Sequence, residues 1–256
     1  MSDLITIQDA PGGVRLIGFD RPDKKNAVTG AMYDAMRAAL EQADASDAIG
    51  AVVFAGRPGV FCAGNDLADF VEGAREKPFT EAPALLFIRQ LARTRTPIVA
   101  AVDGIAVGIG ATLSLHCDLV YAGPAARFRM PFVELGLVPE AASSYLLPRR
   151  VGRLKATELL LLSEAYDADT AVGLGLANAV IPSDMLVEHA LAQAARLAAL
   201  PRGAVAASRA LIRGDQDAVE AALEAEAQAF EARLASPEAQ AAFKSFLDRA
   251  PRKGAA

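Results

Sequence analysis

The sequence predicts an α/β fold that continues into a helical C-terminal region, and three observations support this. In the first half, short β-like runs alternate with helix-like runs. The β-like runs IGAVVFAG (49–56) and PIVAAVDG (97–104) are apolar throughout, which is typical of strands covered on both faces. From about Gly152 onward, segments of helical periodicity follow one another, with Gly or Pro between them.

The N-terminal half begins with a predicted hairpin, because LITIQDA (4–10) and VRLIGFD (14–20) flank the turn residues PGG. Apolar residues at helical spacing then predict a helix within 27–45, with Thr29 as its N-cap. The apolar runs at 49–56 and 97–104 are the predicted buried strands. Further elements are predicted in this order: helices at 65–74 and 82–96, a helix-like segment at 109–118 and a strand at 119–123.

The C-terminal part is predicted to be helical throughout. Its six segments are 153–164, 167–177, 184–200, 202–213, 217–235 and 237–250. Alanine, which favours helix, is abundant in them. Such long apolar helices argue against a monomer.

Composition excludes several classes of function. The 256 residues are 53 % hydrophobic and 22 % charged, with a net charge of −5 and 26 scattered Lys and Arg residues, which argues against a nucleic-acid partner. Asp103 and several glycines interrupt the most apolar stretch, so no membrane span is expected. The two cysteines and the absence of a signal-like N-terminus predict a cytoplasmic protein. His116 and His189 have no ligand-spaced partner, so no metal is expected.

Two loops rich in small residues follow predicted strands. GRPGVFCAGNDLADF ends a strand and leads into a helix, and AVDGIAVGIGATLSLHCD places glycines before an apolar helix. Small residues let backbone N–H groups face a ligand, and a helix start suits a partly negative oxygen. The glycine spacing matches neither a P-loop nor a dinucleotide fingerprint. The pair of loops therefore predicts paired N–H donors, with ordinary strand-to-helix turns as the alternative.

Together, FCAGNDL, AVDGIAVGIGATLSLHCDLVYAG, ARF, GLVP and LGLANAVIP resemble the enoyl-CoA hydratase/isomerase (crotonase) superfamily. The resemblance covers essentially the whole chain. It implies a spiral of β-β-α units over residues 1–195 and a helical oligomerisation region over 196–256. It also implies an acyl-CoA substrate, a homotrimer or dimer of trimers, and no cofactor, because CoA is part of the substrate.

In this family two backbone N–H groups form an oxyanion hole for the thioester oxygen. By motif position, the resemblance assigns them to Ala63 and Ile109. The chemistry agrees, since removing the proton α to a thioester gives an enolate whose charge collects on that oxygen. Family enzymes often carry Gly at the second position. An Ile keeps the N–H and makes the pocket wall bulkier.

The two glutamates that the family's hydratases use are absent. Thr112 and Phe132 stand in their places, which argues against ordinary hydration. Instead, LGLVPEAASSYLLP resembles the peroxisomal-type Δ3,Δ2-enoyl-CoA isomerases and their bacterial relatives, in which the matching Glu140 is the base. Without the resemblance, Glu140 would be interpreted as a carboxylate at a helix start. Glu134 is the rival carboxylate nearby.

The prediction is thus an isomerase that moves the double bond of a 3-enoyl-CoA to the 2-trans position with one base. Its alternatives are an enoyl-CoA hydratase or another crotonase-type reaction, and a non-catalytic acyl-CoA-binding protein. The RPDKKNAVTG segment resembles the family's border of the CoA adenine and phosphates. The candidate substrate-binding residues are Lys24, Lys25, Ala27, Cys62, Gly64, Asp66, Leu67, Gly110, Phe132, Leu135 and Ser144.

Overall fold

The computed structural model describes residues 3–70 and 79–249. Its strands are β1 (Ile5–Ala10), β2 (Val14–Phe19), β3 (Ala51–Ala55), β4 (Val60–Cys62), β5 (Ile98–Val102), β6 (Ile105–Val107), β7 (Leu119–Ala122), β8 (Arg127–Arg129), β9 (Tyr166–Asp167) and β10 (Ala179–Val180). Its helices are α1 (Gly30–Ala45), α2 (Pro83–Arg93), the single turn α3 (Ile109–Thr112), α4 (Ser143–Val151), α5 (Arg153–Leu161), α6 (Ala168–Gly173), α7 (Leu186–Ala198), α8 (Arg202–Arg213), α9 (Gln216–Leu234) and α10 (Pro237–Arg249).

The strands form two sheets that the chain visits in turn. One sheet has the order β1-β2-β3-β5-β7-β10 and the other β4-β6-β8-β9. After the antiparallel β1–β2 hairpin, β3, β5 and β7 pair in parallel in the first sheet, and β4, β6 and β8 pair in parallel in the second. Each repeat therefore adds one strand to each sheet, and the chain advances as a spiral.

The α/β prediction and most of its elements are confirmed. The C-terminal part is not helical throughout, because the two-residue strands β9 and β10 lie between its helices. The hairpin forms, and Thr29 caps α1 by accepting a hydrogen bond from the N–H of Met32 (3.4 Å). Strands β3 and β5 are buried along their whole length, as their apolar sequences predict. The helix predicted at 65–74 is helical at 67–70, and its remainder lies outside the described residues.

The four-stranded sheet has no counterpart among the elements predicted from periodicity. Two of its strands, β4 and β6, contain only three residues each, so neither spans enough residues for an alternating pattern to be recognised. The sequence around β4 instead indicated a glycine- and proline-rich turn. These short strands carry the two loops of the candidate site.

The six-stranded sheet is covered on both faces. Alternate residues such as Val52 and Phe54 point into the main core, which includes α1 and α2. Val53 and the residues that alternate with that set point to the opposite face, against Leu186 and Ala190 of α7. Two-sided burial explains why these strands lack the polar–apolar alternation of half-exposed strands.

A partly buried ion pair links α8 to the core. Arg209 donates from Nε to Oδ1 of Asp118 (2.7 Å) and from Nη1 to the carbonyl of Thr94 (2.6 Å). Asp118 also accepts from the N–H of Ile98 at the start of β5 (2.7 Å). The C-terminal helices are therefore joined to the sheet by hydrogen bonds as well as by apolar contacts.

The predicted division of the chain at 195/196 falls within α7, which packs on the six-stranded sheet. An oligomerisation role for the region after it stays a prediction. Among the residues that the structure describes, no helix is long and apolar enough to cross a membrane.

Candidate active site

The two loops rich in small residues lie against each other. Strands β4 and β6 pair in parallel, so the loops that follow them leave the same edge of the sheet. A Cβ on Gly64 would lie 3.0 Å from the carbonyl oxygen of Val107, and a Cβ on Gly110 would lie 2.6 Å from that of Cys62. Glycine at these positions is what lets the two backbones approach so closely.

The two predicted N–H donors, those of Ile109 and Ala63, differ in their hydrogen bonding. Ile109 is the first residue of α3, and the first N–H groups of a helix have no partner within it. Ala63, in contrast, donates its N–H to the carbonyl of Lys25 (3.0 Å). The assignment of the Ala63 N–H to the oxyanion hole is therefore wrong, because a tertiary hydrogen bond already uses it.

The N–H of Asn65, two residues after Ala63, is a better candidate for the oxyanion donor. Val28 donates to the carbonyl of Gly64 (2.8 Å) and accepts from the N–H of Asp66 (2.9 Å), the pattern of a parallel bridge. In such a bridge the middle residue, here Asn65, turns its own N–H away from Val28. The hydroxyl of Tyr33 donates to the side chain of Asn65 and fixes that residue.

Glu140 lies at the start of an unusual stretch of backbone. Ala141 and Ala142, which follow it, both have positive φ (60° and 53°), and α4 begins only at Ser143. Glu140 is half-buried as a residue, but its Oε1 is shut off from solvent and has no hydrogen-bond partner in the described part of the chain. Burial, reinforced by the charge of Glu226, raises the pKa of Glu140 from 4.5 to about 8.

The alternative role for Glu140, a carboxylate at a helix start, is filled by Glu226 from α9. Its Oε2 accepts from the N–H of Ala142 (2.7 Å), and its Oε1 accepts from the N–H of Ser144 (2.9 Å) and from the Ser144 hydroxyl. Sequence reasoning did not single out Glu226, although the helical periodicity of α9 gave an indication of it. Glu226 lies on the apolar stripe of α9, with Leu223 three residues before it and Phe230 four residues after it.

A small apolar cavity of about 20 Å³ adjoins both carboxylates, with room for about one water molecule. Its apolar lining includes Phe70, Ala84, Leu85, Ile88, Leu223 and Phe230. The surroundings of Glu140 on this side are therefore hydrocarbon, the environment that keeps a carboxylic acid protonated and makes its anion a strong base.

The chain is similar to known proteins along most of its length. The sequence pattern of the family described as Enoyl-CoA hydratase/isomerase matches residues 9–253. The chain belongs to the enoyl-CoA hydratase/isomerase family. The predicted membership is thereby confirmed, and so is the crotonase-like fold, because solved structures of this family share it.

Relatives of different activities are similar to the chain. Enoyl-CoA delta isomerase 2 of Rattus norvegicus is 36 % identical over 246 residues, which are 94 % of this chain and 63 % of the rat protein. The 2,3-dehydroadipyl-CoA hydratase of Escherichia coli is 33 % identical over 250 residues, 97 % of each chain. The solved structure of OdaA from Pseudomonas aeruginosa is 41 % identical, with a TM-score of 0.90, and the match covers 97 % of this chain and 100 % of that one.

The positions of the family's hydratase carboxylates are closed here. Thr112 is fully buried, and its hydroxyl donates to the carbonyl of Gly108 (3.3 Å). Phe132 is buried in the core, and Leu135 and Leu67 pack against that core from partly exposed positions. Substrate contact by these apolar residues stays a prediction.

The polar substrate-binding candidates near the N-terminus lie together on one loop. Lys24 and Lys25 are exposed, as an electrostatic contact with phosphate would need. Ala27 donates its N–H to Lys24 (3.0 Å) and accepts at its carbonyl from Arg21 (2.9 Å), so a second lone pair on that oxygen is what remains for a ligand. Asp66 pairs with Arg21 (2.8 Å).

Two other candidates have protein-directed roles. Ser144 bonds to Glu226 through both its N–H and its hydroxyl, and its contact with substrate stays a prediction. Cys62 is fully buried, and burial raises the pKa of its thiol to about 12, which keeps it protonated and unreactive.

The raised pKa of Glu140 predicts a pH-dependent stability. The unfolded chain releases this proton near pH 4.5 and the folded protein near pH 8, so the stabilisation is complete below pH 4.5 and is lost as the pH rises through about 8. The loss amounts to up to ~5 kcal/mol of unfolding free energy. Glu140→Gln removes this dependence. Urea unfolding at pH 5, 7 and 9 should therefore show that the free energy of unfolding of the variant, relative to that of the wild type, increases with pH. A difference that does not change with pH would contradict a buried carboxyl at Glu140.

Proposed function

We propose that this protein is an acyl-CoA isomerase that converts a 3-enoyl-CoA to the 2-trans-enoyl-CoA. The observation that carries the proposal is one carboxylate, Glu140, beside an apolar cavity; its buried Oε1 has no hydrogen-bond partner among the described residues. No second acid or base is available at the hydratase positions, where Thr112 and Phe132 are buried. Glu226 is no substitute, because hydrogen bonds engage both of its oxygens.

One carboxylate suffices for this reaction. Ionised Glu140 takes a proton from C2, the electron pair of that C–H bond enters the conjugated system, and a dienolate forms with its charge on the thioester oxygen. The carboxylic acid then returns the same proton to C4, which leaves the double bond between C2 and C3. No water is consumed, so an apolar surrounding favours the reaction.

The dienolate oxygen is assigned to the backbone N–H groups of Ile109 and Asn65. Ile109 supplies an N–H at a helix start, which has no partner within that helix, and Asn65 takes over the role predicted for Ala63. A fixed donor of this kind contributes about 3 kcal/mol to transition-state stabilisation. The exposed Lys24 and Lys25 are assigned to the phosphates of CoA.

The deciding experiment gives the purified protein a 3-enoyl-CoA and, separately, a trans-2-enoyl-CoA, and follows the absorbance of the conjugated thioester. Isomerisation predicts a rise with the first substrate and little loss with the second. Loss with the second alone would indicate hydration, the activity named for the E. coli relative. Silence with both, together with measurable acyl-CoA binding, would favour a non-catalytic binding protein.

We also propose that the protein assembles as a homotrimer or a dimer of trimers. Leu154 on α5, and Leu211 and Ile212 on α8, are more than four-fifths exposed, which is unusual for side chains of this size. Light scattering should give three or six times the chain mass of 26.7 kDa. A monomer at micromolar concentration would contradict this assembly.

A further inference from the structure

The backbone that carries Glu140 is strained. Ala141 and Ala142 have φ of 60° and 53°, in the left-handed region where a Cβ meets steric resistance. Two such residues in succession persist only when their surroundings hold them in place. The direction in which Glu140 points is set by these two residues, since they connect it to α4.

Two buried side chains from distant parts of the chain hold this segment. Glu226 accepts from the N–H groups of Ala142 (2.7 Å) and Ser144 (2.9 Å), more than 80 residues away in sequence. On the other side, Nε2 of His116 donates to the carbonyl of Ala141 (2.8 Å). Burial lowers the pKa of His116 to about 4, so the ring is neutral and this nitrogen carries its proton.

Glu226 is also the charge that Glu140 faces. In the described part of the chain, the titratable groups around Glu140 are Tyr33 from α1, Cys62 from β4 and Glu226 from α9. Helix α2 presents only apolar side chains to the cavity. Burial holds the pKa values of Tyr33 and Cys62 high, so both are neutral. Burial also raises the pKa of Glu226, but the three hydrogen bonds that it accepts oppose this shift and favour its anion.

We propose that Glu226 is a positioning residue, which fixes the carboxylate of Glu140 through the Ala142–Ser144 backbone and repels its negative charge when Glu226 is ionised. This inference rests on the proposed function of Glu140 as the base. The role requires a carboxylate, because two N–H groups need two acceptor oxygens. Glutamine offers one acceptor and one donor, so one buried N–H would lose its partner.

The test compares Glu226→Gln with Glu224→Gln on the same helix, whose carboxylate is half-exposed and bonds Arg89 (2.8 Å). With 3-enoyl-CoA, Glu226→Gln should lower kcat about 10- to 100-fold and leave KM within about threefold, because it misplaces the base and not the substrate. The rising limb of its pH–kcat profile should move to lower pH, since the repelling charge is gone. Glu224→Gln should change neither quantity.

A merely structural role for Glu226 would lower the melting temperature and the number of active sites without moving the pH limb. An unmoved limb with wild-type kcat per active site would therefore overturn the proposal. If Glu226→Gln does not fold, Ser144→Ala removes one bond to Glu226 and keeps the backbone clamp. It should lower kcat about 3- to 10-fold, and unchanged kcat would overturn the inference.

A measurement without substrate distinguishes failure of the proposed function from failure of the inference about Glu226. If the wild type does not isomerise 3-enoyl-CoA, the proposed function fails, and the link between the two carboxylates is then measured without substrate. In both variants the free energy of unfolding should fall as Glu140 ionises. This fall should occur at lower pH in Glu226→Gln than in Glu224→Gln. Coincident pH profiles would overturn the inference.

Discussion

Replacing Glu140 by Gln is expected to lower kcat for 3-enoyl-CoA isomerisation by at least ~10³-fold, because one group performs both proton transfers. Glutamine has nearly the same shape but cannot take the proton from C2. The conjugated thioester should therefore not accumulate in the absorbance assay. Binding of a saturated acyl-CoA, measured by calorimetry, should stay within about threefold of the wild-type Kd, since the lost interaction belongs to the transition state.

The matched control is Glu134→Gln, six residues earlier in the chain. Glu134 is exposed and its carboxylate bonds Arg129, so it lies in solvent and has a partner. Its replacement should leave kcat unchanged. If Glu140→Gln kept more than about a tenth of the wild-type kcat, another group would have to be the base, because a general base contributes about 10²-fold or more.

Gly110→Ala is expected to lower kcat about 10²-fold, close to the effect of losing one oxyanion donor. The added Cβ would lie 2.6 Å from the carbonyl oxygen and 2.9 Å from the Cβ of Cys62. Since neither contact can be relieved by rotating a flexible side chain, the two loops must separate by several tenths of an ångström. Ile109, adjacent in the chain, then carries its N–H out of register with the donor on the first loop.

The effect should fall on kcat more than on KM, because the donors bind the charged oxygen of the dienolate more strongly than the neutral thioester. Kinetics are to be normalised to folded protein, since the same contact lowers stability. Gly173→Ala is the control: Gly173 is exposed at the end of α6, and a Cβ there would have no neighbour within 4 Å. Wild-type kcat in Gly110→Ala would show that close approach of the loops is not needed for turnover.

Much of the architecture could be predicted from sequence because it rests on local patterns. The Thr29 cap of α1, the fully apolar β3 and β5 and the long C-terminal helices all have signatures within a few residues. The site was predicted in outline for the same reason. The glycines between Gly104 and Gly110 and the carboxylate at Glu140 stand in contiguous motifs whose resemblance to the enoyl-CoA hydratase/isomerase family is specific.

Contacts between distant residues determined the rest. The Ala63 N–H was misassigned because its partner, Lys25, lies 38 positions earlier on a separate loop. The three-residue strands β4 and β6 are too short to carry a periodic pattern, and their pairing joins segments more than 40 residues apart. By itself, the sequence determined the order of the longer strands and helices and which carboxylate to test. Only the tertiary structure decided that Oε1 of Glu140 is shut off from water and that Glu226 and His116 hold the backbone after it. Burial and hydrogen bonding depend on what packs against a residue from elsewhere in the chain.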